Sequence, residues 1–243
     1  MISLATLRNN IESISITAVI DSALCVGAGG SSGSLADKPI IRNADKNLLI
    51  PASQLKGRLR HECEKIARAL RWDICESPKA ETMCPARVGV SGHFNRSQYK
   101  VDGYENQDHC LICQIFGNPV LPSRLLFDDL ICTESPENLP EVIRPGVTIN
   151  RRRQTAEENK LYFLETSPAN AQLEFTGKIY LLPNRNSDRP DFAKALIYAG
   201  LRHINALGGS KSAGLGWLHW QLKPPDLEHE DSIWEFLAQG GER

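Results

Sequence analysis

The sequence predicts an α+β fold, and three observations carry that expectation. Stretches of alternating apolar and polar residues recur at Ile14–Ile20, Leu173–Leu181 and Gly216–Leu222, the two-residue period of half-buried strands. Two stretches with apolar residues three and four apart lie between them, the pattern of one-faced helices. The 243 residues are 41% hydrophobic and 23% charged, enough apolar material to bury a core and too much for global disorder.

Taken in order, Ile14-Ser15-Ile16-Thr17-Ala18-Val19-Ile20 is the first strand, and the Gly- and Ser-rich residues 26–37 are a loop. After Pro51 a helix is expected, with Ser53 as N-cap and Leu55, Leu59, Cys63, Ile66 and Leu70 as its buried stripe. Residues 72–119 hold no long periodic stretch and read as an insertion that something other than a hydrophobic face must order. Arg124–Leu130 is a short strand candidate, and residues 141–168 read as a basic hairpin projecting from the body. A strand over Leu173–Leu181 follows. A second helix is expected from Asp188 to Leu207, with Pro190 near its first turn and Gly208 as its stop. The strand ending at Leu222 closes the core. This order, β-α-β, an excursion, then β-α-β, is the ferredoxin-like (RRM-like) arrangement of a four-stranded antiparallel sheet backed by two helices. One domain spanning residues 1–243 is expected, with insertions at about 72–119 and 141–168.

No run approaches the ~18 apolar residues of a membrane span, and Met1–Thr6 is no signal peptide, so a soluble cytoplasmic protein without a membrane partner is expected. The net charge of −1 hides an uneven distribution. Residues 51–72 carry Lys56, Arg58, Arg60, Lys65, Arg68 and Arg71 against Glu62 and Glu64. Residues 144–153 carry Arg144, Arg151, Arg152 and Arg153 without an acid, and residues 193–216 carry Lys194, Arg202 and Lys211 without one. Segregated patches of this kind suit a local polyanion site.

Gly208-Gly209-Ser210-Lys211-Ser212-Ala213-Gly214-Leu215-Gly216 is the most unusual stretch. Such a loop exposes backbone N–H groups and a Lys to which phosphates can come close. It is no P-loop, because the G-K-[ST] order is broken and the loop follows a helix and precedes a strand. Ser53-Gln54-Leu55-Lys56 matches the S-x-x-K of penicillin-recognising enzymes, but neither S-D-N nor K-T-G occurs in the chain. Lys56 and Arg60, four apart, share a helix face with Ser53 at the same end, a row suited to a phosphodiester backbone. With Arg151, Arg152 and Arg153 these residues point to RNA or DNA.

Seven cysteines in a chain without a secretory signal argue for metal or core use. Cys75, Cys84, Cys110 and Cys113 form a zinc constellation. Its Cys110-Leu111-Ile112-Cys113 half has the short spacing that lets two thiolates share one tetrahedral ion. His93 and His109 are rival ligands, and Cys25, Cys63 and Cys132 read as core residues.

Together these pieces resemble the RAMP superfamily of CRISPR systems, specifically the repeating backbone subunit of type III effector complexes. The resemblance rests on Ala36-Asp37-Lys38-Pro39-Ile40-Ile41 after a Gly-rich loop, on Ile50-Pro51-Ala52-Ser53-Gln54-Leu55-Lys56-Gly57-Arg58-Leu59-Arg60, and on Cys113-Gln114-Ile115-Phe116-Gly117. It continues through Arg124–Leu130, through Gly146-Val147-Thr148-Ile149-Asn150-Arg151 and the stretch to Glu165 as the thumb, and through the 208–216 loop. It implies that copies stack along a CRISPR RNA with other effector subunits, each thumb kinking the guide–target duplex. It also implies an endoribonuclease (a hydrolase of antiviral defence) that cuts complementary target RNA. Asp37 stands at the position of the family's catalytic Asp. The implied reaction is metal-dependent attack by a ribose 2′-hydroxyl, with Mg2+ or Mn2+ as cofactor beside structural Zn2+. Physically, a loop carboxylate can hold a divalent ion or help deprotonate the hydroxyl. Two alternatives remain at this stage: a non-catalytic RNA-binding scaffold, and a RAMP endoribonuclease that processes repeat RNA.

Overall fold

The computed structural model describes residues 11–27, 36–85, 99–104, 107–184, 190–222 and 230–241. Strand β1 (Glu12–Ile20) sends Ile14, Ile16, Ala18 and Ile20 into the core, as its alternation requires. It pairs antiparallel with β7 (Leu173–Leu181), Ile16 opposite Gly177, and on its other side with β8 (Leu218–Leu222), Ala18 opposite Trp220. Beyond β7 lie β3 (Leu125–Phe127) and β4 (Leu130–Cys132), and β4 in turn pairs with the short β2 (Leu49–Ile50). The sheet order is β2-β4-β7-β1-β8, with β3 also on β7, and all its named pairings are antiparallel. The Arg124–Leu130 stretch thus becomes two strands, because Asp128 and Asp129 turn the chain between them.

Helix α1 (Ala52–Ala69) buries Leu55, Leu59, Cys63 and Ile66, the expected stripe. Its start differs from the expectation. Pro51, not Ser53, is the N-cap, and the Ala52 N–H donates to Asp129 Oδ1 at 2.7 Å. Proline sets the backbone for the first turn, and a carboxylate from the β3–β4 turn, beside the strand that leads into the helix, takes the first open donor. Helix α2 (Leu111–Phe116) lies in the insertion and is almost wholly buried. Helix α3 (Ala193–His203) starts later than Asp188, which lies outside the described residues. Asp191 Oδ1 accepts the Ala193 N–H at 3.1 Å while its carboxylate grips Arg124 at 2.6 and 3.0 Å. A buried arginine in β3's approach therefore fixes where α3 begins. The helices meet closely at Gly200, where a Cβ would fall 2.6 Å from Cys63 Sγ and 2.8 Å from Leu59 Cδ1.

Helix α4 (Glu230–Ala238) docks on this layer through Ile233 and Leu237. The Trp72 indole N–H donates to the Leu237 carbonyl at 2.9 Å, and Phe192 lies 5.3 Å from Trp72 and 4.9 Å from Phe236. One cluster of buried apolar residues runs through the sheet, α1, α3, α4 and the insertion. Strands β5 (Val142–Asn150) and β6 (Thr155–Thr166) form a separate two-stranded hairpin turning at 151–154. No helix among the described residues is long and apolar enough to cross a membrane.

Candidate functional site

The segment after β1, residues 21–27, joins three of the candidate segments. On one side the Gly209 N–H donates to the Cys25 carbonyl at 2.6 Å, and the Gly216 N–H to the Ala23 carbonyl at 2.8 Å. On another, the Leu24 N–H donates to Ser167 Oγ and the Ser167 N–H to the Leu24 carbonyl, both at 2.9 Å, at the root of the hairpin. On the third, the Ile41 N–H donates to the Val26 carbonyl at 2.9 Å. The glycine loop, the hairpin root and the Asp37 segment are thus hydrogen-bonded to one short stretch of backbone.

Asp37 is exposed, and its Oδ2 accepts the Phe163 N–H of β6 at 2.7 Å. Lys38 pairs in parallel with Leu164: its N–H donates to the Phe163 carbonyl at 3.2 Å and its carbonyl accepts the Glu165 N–H at 3.1 Å. Glu165, itself buried, completes the strap. One carboxylate oxygen accepts the Ile40 N–H and the other an Arg42 Nη2–H, each at 3.0 Å. A charged carboxylate in so dry a place is stable only when its oxygens are filled, and both are. The Lys38 ammonium stands 6.0 Å from the Tyr162 ring centre, and that ring lies across Gly146, where a Cβ would sit 2.3 Å from a ring carbon.

Residues 209–214 of the glycine loop are exposed around a short turn at Lys211–Ala213. Lys211 Nζ donates to the Gly208 carbonyl at 2.9 Å, and Ser210 and Gly214 have left-handed φ of 54° and 85°. Gly216 is sterically obligatory: its φ is +72°, and a Cβ would lie 1.8 Å from the Leu207 carbonyl oxygen.

The cations of α1 are mostly committed. Arg58 pairs with Glu62 at 3.0 Å and Lys65 with Glu62 at 3.1 Å, while Arg60 pairs with Glu64 at 3.0 Å. Arg60 also donates to the Gly117 carbonyl at 2.9 Å and reaches Cys113 Sγ at 3.7 Å. Burial opposes its charge, but the Glu64 bond and the field of Cys113 outweigh it and hold its pKa above the ordinary value. Lys56 has no ion pair among the described residues, and burial, then the charge of Arg60, lowers its pKa. Ser53 is exposed one turn earlier, and Arg151, Arg152 and Arg153 are exposed at the hairpin tip.

Cys75, Cys84, Cys110 and Cys113 are all buried, and their sulfurs lie within 4.8 Å of one another, a group that could hold a metal ion. The Cys75–Cys113 and Cys75–Cys110 sulfurs are 3.5 and 3.7 Å apart. A tetrahedral ZnS4 centre with bonds of about 2.3 Å puts sulfurs about 3.8 Å apart, so the quartet is consistent with zinc. The Cys110 N–H donates to Cys84 Sγ at 3.3 Å, and with Arg60 it offsets thiolate charge. Hydrogen bonds from Cys110, then Cys113 and Cys84, pull the Cys75 thiol down, while bonds with Cys113, Cys75 and Cys84 push Cys110 up. Four thiols this close cannot all ionise without a cation between them. His109 lies apart from the quartet, its Nδ1 paired with Asn118 Nδ2 at 2.8 Å, and His93 lies outside the described residues.

Magnesium or manganese finds no such cage. Among the described residues the cysteine quartet is the only group of three or more possible metal ligands. Asp37 is a lone carboxylate with one oxygen already hydrogen-bonded, whereas Mg2+ takes about six oxygens. The described residues thus offer such an ion at most one protein ligand here, and the remaining positions would fall to water and substrate phosphates.

A family model described as the RAMP superfamily matches residues 17–219, most of the chain. The chain belongs to the RAMP superfamily. No curated protein matches it. Membership ties this RAMP protein to CRISPR-associated RNA binding. The match runs from β1 through the insertion and hairpin to β8, and so spans every candidate residue.

Within the RAMP chain, the Asp37 segment, the hairpin root and the 208–216 loop share one hub, and the four cysteines come together. Arg60 is turned instead toward the cysteines and Gly117. Sequence reasoning missed Glu165, Arg42 and Tyr162. Glu165 carried no local signal, being one acid among several in a polar strand, and its partners lie more than 120 residues away.

Proposed function

We propose that this chain is a guide-RNA-binding backbone subunit of a type III CRISPR interference complex and that it cuts bound target RNA with Asp37. The carrying observation is the bonding of the Asp37 segment, the hairpin root and the glycine loop to one stretch, residues 23–26. Ser53, Lys56 and the exposed turn of Ser210, Lys211 and Ser212 take guide phosphates, with Gly208 and Gly209 anchoring that loop through the Gly209 N–H on the Cys25 carbonyl. Arg151, Arg152 and Arg153 follow the same strand from the tip of the thumb, and other copies and effector subunits continue the filament along the CRISPR RNA in the cytoplasm. The finer architecture we infer is ferredoxin-like in a single domain. The sheet order supports it, since β3 and β4, then β7, β1 and β8 reproduce the 2-3-1-4 order of that arrangement. The insertion at 72–119 is held by a structural zinc ion on Cys75, Cys84, Cys110 and Cys113, a reading supported by the sulfur spacing.

In the reaction the free oxygen of Asp37 accepts the proton of a target 2′-hydroxyl while Oδ2 stays on the Phe163 N–H. The 2′-oxygen bonds to phosphorus and the bond to the 5′-oxygen breaks, leaving a cyclic phosphate and a 5′-oxygen that takes a proton from water to become a hydroxyl, while the proton on Asp37 neutralises the hydroxide left behind. Alignment by the bound RNA supplies much of the rate, because one exposed carboxylate is a weak base. Asp37→Ala in the assembled, guide-bound complex is expected to abolish the cut at that subunit's position without loss of assembly. Continued cutting there would leave a second reading, a non-catalytic scaffold. The Phe163 bond favours that reading, because it gives Asp37 a structural task.

A further inference from the structure

Trp217 follows the glycine loop directly, and 49% of it is exposed although tryptophan is ordinarily among the more buried residues. Its main chain is fixed on three sides. The N–H donates to Ser22 Oγ at 2.9 Å, the carbonyl accepts the Asp21 N–H at 2.8 Å, and the residue bridges to Ala206 across the strand edge. Gly216 before it is pressed against Leu207. Trp72 and Trp220, by contrast, are partly or wholly buried and spend their indole N–H groups on the carbonyls of Leu237 and Ile204 at 2.9 Å. The Trp217 indole N–H makes no hydrogen bond among the described residues. A rigid backbone thus carries a half-solvated ring that packs the core little.

Cations flank Trp217 in the chain: Lys211 lies in the preceding loop, Arg202 lines a depression of about 290 Å³ at the end of α3 with Leu218 and His219 of the strand that follows Trp217, and residues 193–216 contain no acid. Asp21, whose N–H holds the Trp217 carbonyl, is itself paired with His219 Nδ1 at 3.1 Å. Charge of this sign beside an exposed ring suits single-stranded RNA, whose phosphates seek the cations while its bases seek flat apolar faces.

We propose that Trp217 is a base-stacking platform on which a nucleobase of single-stranded RNA rests while its phosphates lie on the 208–216 loop. The inference rests on the glycine loop being an RNA site. It adds a contact that takes any base, since every base offers a π-face, and that depends little on salt. The pinned backbone fixes the point from which the ring projects beside the loop.

The test measures binding of a single-stranded oligouridine and a guide RNA to the full-length chain over a salt series, in wild type, Trp217→Ala, Trp217→Phe and Lys211→Ala. Trp217→Ala is expected to weaken binding about tenfold at every salt concentration with an unchanged salt slope, and Trp217→Phe to restore most of it. Lys211→Ala is expected to lower the slope. Tryptophan fluorescence should fall when RNA binds to wild type, and most of that quenching should vanish in Trp217→Phe. Unchanged affinity in Trp217→Ala, while wild type binds and Lys211→Ala weakens, overturns the stacking role alone. Loss of self-association in Trp217→Ala with RNA affinity intact also overturns it, making the ring a protein contact. An unchanged slope in Lys211→Ala, or no RNA binding by wild type, overturns the loop reading and the stacking role with it.

Discussion

Lys56 and Arg60 stand one helical turn apart and differ in what they are free to do. Lys56 lacks an ion pair among the described residues; burial first, and then the charge of Arg60 beside it, hold its pKa below the ordinary lysine value. A bound phosphate would reverse that depression, so binding draws a proton onto Lys56 as pH approaches its lowered pKa. RNA affinity is therefore expected to fall as pH rises, from below the usual lysine range, and Lys56→Arg to flatten this dependence; titrations at several pH values check it. Arg60→Ala belongs to a different class of change. It leaves the Gly117 carbonyl, Glu64 and Cys113 Sγ short of a partner, so loss of about 1–3 kcal/mol in denaturant unfolding is expected. Gly117 itself has φ +83°, and a Cβ there would meet Ser123 N at 2.7 Å. Gly117→Ala should destabilise the fold by roughly 1–3 kcal/mol in the same assay.

At the scale of elements, the hairpin shows what sequence can and cannot disclose. Residues 141–168 read as a basic hairpin, and β5 and β6 occupy 142–166, because alternation and turn residues are local signals. The glycine loop and the C-x2-C pair were legible for the same reason. What holds them was not. The Glu165 strap joins residues 123 and 125 positions apart, and the Asp129 contact at the start of α1 spans 77, and no period or spacing encodes such pairings. The basic row of α1 also read as suited to a phosphodiester backbone, whereas Glu62 and Glu64 turn inward and claim Arg58, Arg60 and Lys65. A two-stranded ribbon is marginal alone, so the strap at its root matters. Glu165→Gln, which keeps the Ile40 contact and weakens that to Arg42, should speed hydrogen exchange at Ile40 and Phe163 while the β1–β7 amides stay protected.

For the molecule as a whole, the insertion and the sheet share one core, and the cysteine quartet lies where α1, α2 and the 72–85 segment meet. Zinc should be present near one equivalent in purified protein by elemental analysis. A strong chelator, or acidification that protonates the thiolates, should release it and lower the melting temperature; retained stability with four titratable thiols would refute the metal clip. Net charge near zero does not argue against a polyanion partner. The inward pairing on α1 neutralises cations that would otherwise count, and the hairpin tip, Lys56 and the glycine loop remain as the cationic surface.

The central claim, one RNA site assembled from α1, the hairpin and the glycine loop, is tested most directly by the salt dependence of guide-RNA affinity. The comparison is between wild type and a variant with Lys56, Arg151, Arg152 and Arg153 all changed to Ala. Four phosphate contacts on a single strand contribute a slope of about 0.7 each, so the variant's log–log slope should be shallower by about 3. An unchanged slope with unchanged affinity would contradict the account.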